Sequence, residues 1–165
     1  MRKCYPGSAH VNDMASQLDR YIFLLQEPYV YGGKICLLDN SQNIISHTGH
    51  VRTAILSHSS LNLWPISSLM TKDLAVALWD TGTSTLGKII LCSCFWDGLI
   101  DDFPEELINA VNYAQSHNYQ IYIGIDSNAH SVTWGSPATD KRGELLENLL
   151  ASLGLMVLNT GDTPT

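Results

Sequence analysis

Short apolar runs, some of them alternating with polar residues, follow one another through the first part of the chain. Clusters of Gly, Ser, Asn and Thr separate these runs, a pattern that is typical of short strands joined by turns. The first clear strand is predicted at residues 21–25. Further strands are predicted at residues 34–38, 43–47, 52–56, 73–79 and 88–95.

Other segments have apolar residues at helical spacing. A short helix is predicted over residues 11–19, and a second one begins near Pro104, with Asp101 or Asp102 as its cap. The apolar stripe of this second helix is Leu107, Ile108, Val111 and Ala114. A third helix carries Leu145, Leu146, Leu149, Leu150 and Leu153 on one side and ends at Gly154.

Strands are also predicted at residues 119–125 and 155–158, before and after the third helix. The middle of the chain looks like antiparallel hairpins, whereas its later strands alternate with helices. The sequence therefore predicts a mixed α/β domain, although periodicity alone does not give the topology.

The composition is that of one folded domain. The 165 residues are 45% apolar and 15% charged, and no apolar run approaches the roughly 20 residues of a membrane helix. Residues 1–10 lack the apolar core of a signal peptide. Cys92 and Cys94 fall on one face of a predicted strand and are interpreted as buried, reduced thiols. We expect a nuclear or cytoplasmic chain that is not secreted and has no membrane partner.

The formal net charge of −7 argues against a protein that binds DNA mainly through electrostatic attraction. Binding to the phosphate backbone requires lysine and arginine, and adjacent basic pairs occur only at residues 2–3 and 141–142. A metal-dependent nuclease can still be acidic overall, because its site gathers carboxylates.

Polar side chains follow two of the predicted strands directly. Asp126 ends the strand at 119–125, and in extended backbone its side chain and that of Asn128 would project to the same side. A solvated turn would also use these residue types. Glu27 ends the first strand and precedes Pro28, which favours extended backbone at Glu27. Both carboxylates would lie at strand ends, where α/β sheets form ligand crevices.

These pieces belong to an ordered set of short motifs. The set comprises Gln-Glu-Pro-Tyr at 26–29, the run from Gly124 to Trp-Gly-Ser at 134–136, Asp-Lys-Arg-Gly at 140–143, Leu-Asn-Thr-Gly at 158–161 and Pro-Thr at 164–165. In order and spacing it resembles the apurinic-type endonuclease domain of R1/jockey-like non-LTR retrotransposons, within the endonuclease/exonuclease/phosphatase superfamily. The resemblance implies a four-layer α/β/β/α sandwich of the DNase I-like type, formed by residues 1–165 as a single domain and incomplete at both ends.

The resemblance also implies a function, namely the nicking of DNA by phosphodiester hydrolysis that depends on Mg²⁺ or Mn²⁺. Glu27 would be the metal ligand, Asp126 would orient or deprotonate the attacking water, and Asn128 would hydrogen-bond the scissile phosphate. DNA is then the expected partner, together with a reverse transcriptase domain in a longer parent protein.

Three further residues are candidates for phosphate or DNA contact. His130 is alternatively a hydrogen-bonded loop residue, and Trp134 is alternatively an aromatic that packs under the Gly135 turn. Arg142 is alternatively a solvated residue at the start of a helix.

The sequence departs from the family pattern in three places. Asn12 falls in a helical segment instead of a first strand, and Phe95 stands where a tyrosine hydroxyl normally contacts the phosphate. The closing strands, with their Ser-Asp-His signature, are absent from these residues. The isolated chain is therefore expected to be weakly active or inactive. Its alternatives are a catalytically dead remnant or adopted binding module, and a phosphoesterase for a small phosphate substrate.

Overall fold

The computed structural model describes residues 5–36, 42–100 and 102–159. The chain divides into two compact units. The first unit comprises Met1–Phe95 and Pro104–Asp126, and the second comprises Trp96–Phe103 and Ser127–Thr165.

The first unit contains two helices and all of the strands found in the described residues. The helices are α1 (Tyr5–Ser16) and α2 (Glu105–Ser116). The strands are β1 (Ile22–Gln26), β2 (Val30–Tyr31), β3 (Lys34–Ile35), β4 (Gln42–Ser46), β5 (Thr53–His58), β6 (Leu63–Pro65), β7 (Leu74–Asp80), β8 (Lys88–Phe95) and β9 (Gln120–Asp126).

Two sheets pack face to face in this unit. One sheet has the antiparallel order β1-β5-β4, and the other has the order β6-β7-β8-β9, in which only the β8–β9 pair is parallel. A separate small hairpin joins β2 and β3. The core between the two sheets consists of Ile45, Ile55, Ala75, Ala77, Ile89 and Leu91. Burial of these apolar side chains provides the main stabilisation of the sandwich.

The helices cover the outer faces of the sheets. Ala15 of α1 packs with Tyr21 and Leu56, while Phe23 and Leu25 of β1 join the same cluster. Because side chains alternate along a strand, Ile22 and Leu24 point instead into the core between the sheets. On the other side, α2 packs on β7, β8 and β9 through its buried side chains Leu107, Ala110, Val111 and Ala114. The layers are therefore α/β/β/α, as the resemblance implied.

The second unit is built around the helix α3 (Lys141–Ser152) and a short 3₁₀ turn at Val132–Trp134. Asp140 caps α3 by accepting a hydrogen bond from the Gly143 N–H at 2.6 Å. The predicted role of Gly154 in ending α3 is confirmed, since this residue follows the C-cap Leu153 and has a φ of +67°.

Most predicted elements are present, with shifted ends. The strand predicted at 88–95 has those bounds, whereas α1 covers residues 5–16 instead of 11–19. Of the strand predicted at 34–38, Lys34–Ile35 is present and the remaining positions from 37 lie outside the described residues.

Two details of the prediction were wrong. Pro104 itself occupies the cap position of α2 without a side-chain cap, so Asp102 does not cap that helix, and Asp101 lies outside the described residues. Residues 155–158 form no strand, because no described strand pairs with them. The leucines predicted to lie on one side of α3 differ in burial, since Leu146 is buried and Leu145 is exposed.

Candidate active site

The end of β1 lies against the ends of β8 and β9. The Gln26 side chain donates from Nε2 to Ser93 Oγ at 3.0 Å and to the Gly124 carbonyl at 3.1 Å. Ser93 Oγ in turn donates to the Leu25 carbonyl at 2.7 Å. A Cβ atom added at Gly124 would stand 2.9 Å from Leu24 Cβ, so only glycine permits this close approach between the two sheets.

Glu27 follows this contact directly. Its backbone N–H donates to the Arg52 carbonyl at 2.7 Å, and its φ is +49°. The prediction of extended backbone at Glu27 was therefore wrong. The hydrogen bond to Arg52 and the burial of Pro28 hold the chain in a left-handed turn that local preference disfavours. The Glu27 side chain is half-buried.

Asp126 is the last residue of β9 and is also half-buried. It pairs in parallel register with Phe95, the last residue of β8. The Arg52 guanidinium lies over the Phe95 ring, with its carbon 4.7 Å from the ring centroid. A continuous set of contacts thus leads from Glu27 through Arg52 and Phe95 to Asp126, and the two predicted carboxylates share one end of the sandwich.

A charged group that the sequence reading missed lies at the same end. The Arg52 guanidinium forms a two-pronged salt bridge with Asp73, and the Arg52 N–H donates to the Lys72 carbonyl at 3.0 Å. The Phe95 N–H donates to the Asp73 carbonyl at 2.9 Å. We call this end of the first unit the carboxylate edge, and define it by Glu27, Arg52, Asp73, Phe95 and Asp126.

Asn128 belongs to the second unit. Its φ is +49°, and its side-chain Nδ2 donates to the Trp96 carbonyl at 3.0 Å. Because β9 ends at Asp126 and Asn128 is not extended, the argument that strand alternation aligns these two side chains was wrong. A left-handed conformation is less costly for asparagine than for most residues, since its short polar side chain bonds locally.

Arg142 is held by main-chain carbonyls of its own unit. Its guanidinium donates to the carbonyls of Ser127 (2.7 Å), Ile100 (2.6 Å), Trp96 (3.1 Å) and Asp97 (2.9 Å). The same group stacks on the Trp96 ring, 3.4 Å from its centroid. Arg142 is therefore not a solvated helix residue but one that joins the residue 96–100 segment to the segment that carries Asn128.

His130 is exposed, and its backbone is fixed by Asp140. Asp140 Oδ1 accepts from the His130 N–H at 3.3 Å, and the Asp140 N–H donates to the His130 carbonyl at 3.0 Å. The bond from the Gly143 N–H, followed by that from His130, lowers the pKa of Asp140. Gly143 is required here, because an added Cβ would stand 1.9 Å from the His130 carbonyl oxygen.

Trp134 is half-buried and donates from its ring N–H to the Ala129 carbonyl at 3.1 Å. Gly135 after it has a φ of +88°, as the turn interpretation of this segment requires. Ser131 and Thr133 donate to the Glu147 carboxylate, and these bonds lower its pKa. The loop from 129 to 134 is thus well ordered by hydrogen bonds from its own unit.

Comparisons with known proteins bear directly on this arrangement. A family model described as endonuclease-reverse transcriptase matches residues 89–165. The solved endonuclease domain of TRAS1, a telomere-specific non-LTR retrotransposon, has a TM-score of 0.70 and 26% identity over 96% of this chain and 69% of that one. The chain is a retrotransposon endonuclease-like domain. No curated protein matches it.

The fold of this endonuclease-like domain is DNase I-like, and endonucleases of this family are metal-dependent. In the described ranges, no group of three or more His, Cys, Asp and Glu side chains could enclose a metal ion. A hard divalent cation that keeps several waters needs only one or two carboxylates, so Glu27 and Asp126 suit it. The described helices include none long and apolar enough to cross a membrane.

The structure agrees with the predicted positions of Asn12 in a helix and of Phe95 at the end of a strand. Asn12 lies within α1, and Phe95 ends β8 beside Asp126. Phe95 is only 7% exposed, and its ring offers no hydrogen-bond donor. Cys92 and Cys94 are free, fully buried thiols, as predicted.

Proposed function

We propose that this domain nicks DNA, with weak activity as the isolated chain, by hydrolysing a phosphodiester bond with Mg²⁺ or Mn²⁺. The observation that supports the proposal is that contacts through Gln26, Arg52 and Phe95 link the segments of Glu27 and Asp126 at one end of the first unit. Its fold likeness to a retrotransposon endonuclease supports DNA as the substrate.

Each residue has a role that suits its chemistry. When bound, a divalent cation supplies charge neutralisation at the phosphate and lowers the pKa of a bound water. Glu27 would hold the cation, and Asp126 would orient the attacking water or accept its proton. Asn128 would donate a hydrogen bond from its carboxamide to the scissile phosphate.

Relaxation of supercoiled plasmid tests this proposal. We expect nicking with Mg²⁺ and none with EDTA, and a loss of about 100-fold or more in the variants Glu27→Gln and Asp126→Asn, because each removes a charged group that acts on the reacting atoms. Asp80→Asn is the matched control, since Asp80 pairs with Lys88 at the opposite end of β7 and β8. Unchanged nicking in both site variants, or an equal loss in Asp80→Asn, would contradict the proposal.

Phe95 favours a second candidate function. Because its ring stands where the resemblance implies a tyrosine hydroxyl, a domain that binds DNA without cutting it is the alternative. The plasmid assay separates the two, since DNA binding without metal-dependent nicking would support the binding domain.

We further propose that a reverse transcriptase domain belongs to a longer parent protein, which the description of the matching family supports. A nuclear or cytoplasmic location is also proposed. Its support is that Cys92 and Cys94 are buried as thiols in the core strand β8, which suits a reducing compartment. Fractionation of cells that express the tagged chain would test the location.

A further inference from the structure

Two cations share one carboxylate at the carboxylate edge. The Arg52 guanidinium is paired with Asp73, and Lys72 Nζ lies 3.9 Å from Asp73 Oδ2. The formal charges of these three side chains add up to +1, in a chain whose formal net charge is −7. The Lys72 side chain is 58% exposed and is open to solvent, whereas that of Arg52 is 17% exposed and only its edge can be reached.

The backbone fixes this group beside the candidate catalytic carboxylates. Glu27 donates to the Arg52 carbonyl, Arg52 donates to the Lys72 carbonyl, and Phe95 donates to the Asp73 carbonyl. Phe95 pairs with Asp126 in the β8–β9 ladder. Each cation is thus one or two main-chain hydrogen bonds away from a segment that carries a site carboxylate.

A polyanion that approaches Glu27 and Asp126 meets two negative charges. An acidic nuclease site needs positive charge nearby to hold the phosphate backbone, because Coulomb repulsion would otherwise oppose binding. Arginine that is already fixed by a carboxylate loses little conformational freedom on binding, and an exposed lysine acts as a point charge.

We propose that Arg52 and Lys72 form a binding site for a backbone phosphate of DNA at the carboxylate edge. The inference rests on the proposed function, because it identifies how the same site would hold its polyanionic substrate. The site does not recognise a particular base sequence, since contacts to phosphate position a protein on the duplex without specifying bases.

The matched comparison is Lys72→Gln against Lys88→Gln. Lys88 is an exposed residue at the start of β8, whereas Phe95 ends the same eight-residue strand. At about 3.3 Å per residue the two ends are about 23 Å apart, which exceeds the Debye length of about 8–10 Å. Both variants remove one positive charge, but only Lys72→Gln removes it from the carboxylate edge.

Binding to a fluorescein-labelled duplex is measured by anisotropy in EDTA, at salt concentrations from about 50 to 200 mM. We expect Lys72→Gln to weaken binding several-fold at low salt and to reduce the slope of log Kd against log salt by about one. Lys88→Gln should keep the wild-type slope, and Lys72→Arg should restore most of the affinity, because it keeps the charge.

Equal effects of Lys72→Gln and Lys88→Gln would overturn the inference, as would a wild-type chain whose binding to the duplex does not depend on salt. The plasmid assay decides the proposed function separately. If the wild-type chain nicks plasmid and Lys72→Gln binds the duplex with wild-type affinity, only the phosphate site is refuted. If the wild-type chain does not nick plasmid, but Lys72→Gln alone loses affinity for the duplex, only the proposed cleavage is refuted.

Discussion

Glu27 adopts a backbone conformation that glycine prefers. Among the described residues, the non-glycine positions with positive φ are Glu27, Asn118 and Asn128. Asn118 follows the C-terminus of α2, where asparagine is a common helix terminator. The other two are candidate site residues. Left-handed backbone costs roughly 1–2 kcal/mol for an ordinary residue, so both are maintained by surrounding contacts.

A comparison of Glu27→Gly with Glu27→Ala tests this strain. Both variants remove the carboxylate, but only glycine adopts a φ near +49° without a clash of its Cβ. We expect Glu27→Gly to be more stable than Glu27→Ala by about 1 kcal/mol in free energy of unfolding, as measured by urea titration. Both should fail to nick plasmid. Equal stability of the two variants would show that residue 27 is not in the left-handed region.

The sequence indicated the two candidate carboxylates but not their surroundings. Glu27 and Asp126 could be named as candidates because each follows an apolar strand in a short motif. The left-handed turn at Glu27 could not, because it depends on a hydrogen bond to Arg52. Arg52 was itself overlooked, since nothing near it in sequence indicates that Asp73 and Phe95 lie beside it. Local sequence patterns do not show which distant segments of the chain are in contact.

At the scale of elements, Gly124 determines how closely β1 approaches β9. Its missing side chain lets Leu24 pack against the β9 backbone, and Gln26 reaches the Gly124 carbonyl. The polar ends of both strands then fall at the carboxylate edge. The position of the site therefore depends on one small residue in the interface between the two sheets.

Gly124→Ala should disturb this interface. The new Cβ would stand 2.9 Å from Leu24 Cβ, so either the side chain or β1 must move, and overpacking of this kind costs about 1–3 kcal/mol. Urea unfolding measures the loss, and nicking should fall as β1 shifts. Gly98→Ala is the control, because its Cβ would meet Asn128 at an ordinary 3.6 Å. A wild-type stability for Gly124→Ala would contradict the close approach.

The quality of the element predictions depended on the partners of each strand. Residues 89–95 are apolar except for Ser93 and lie between two neighbours, β7 and β9, so the apolar run and the strand coincide. Residues 155–158 have a similar apolar character, but Met156 is 84% exposed and no described strand pairs with this segment. An apolar run predicts a strand only where a neighbouring strand receives its hydrogen bonds.

At the scale of the whole molecule, metal binding can be followed without any reaction. Cys92 and Cys94 lie in the central strand β8 and are fully buried. Burial raises the pKa of Cys92 to about 12 and also raises that of Cys94, where the neighbouring Cys92 adds to the effect. The thiolate is the form that reacts with thiol reagents, and burial disfavours it as well as blocking access. A thiol reagent therefore labels these residues only when the protein opens.

Mg²⁺ should therefore slow the labelling of these two thiols. In a Cys4→Ser, Cys36→Ser background, only Cys92 and Cys94 remain to react. A ligand at about 100 times its Kd stabilises the folded state by about 2.7 kcal/mol, which reduces the open population about 100-fold. The same background carrying Glu27→Gln and Asp126→Asn is the control, and its labelling rate should not respond to Mg²⁺ at matched ionic strength. If Mg²⁺ protects both proteins equally, the two carboxylates do not hold the ion. If it protects only the chain with both carboxylates, the carboxylate edge is a metal site whether or not the isolated domain cuts DNA.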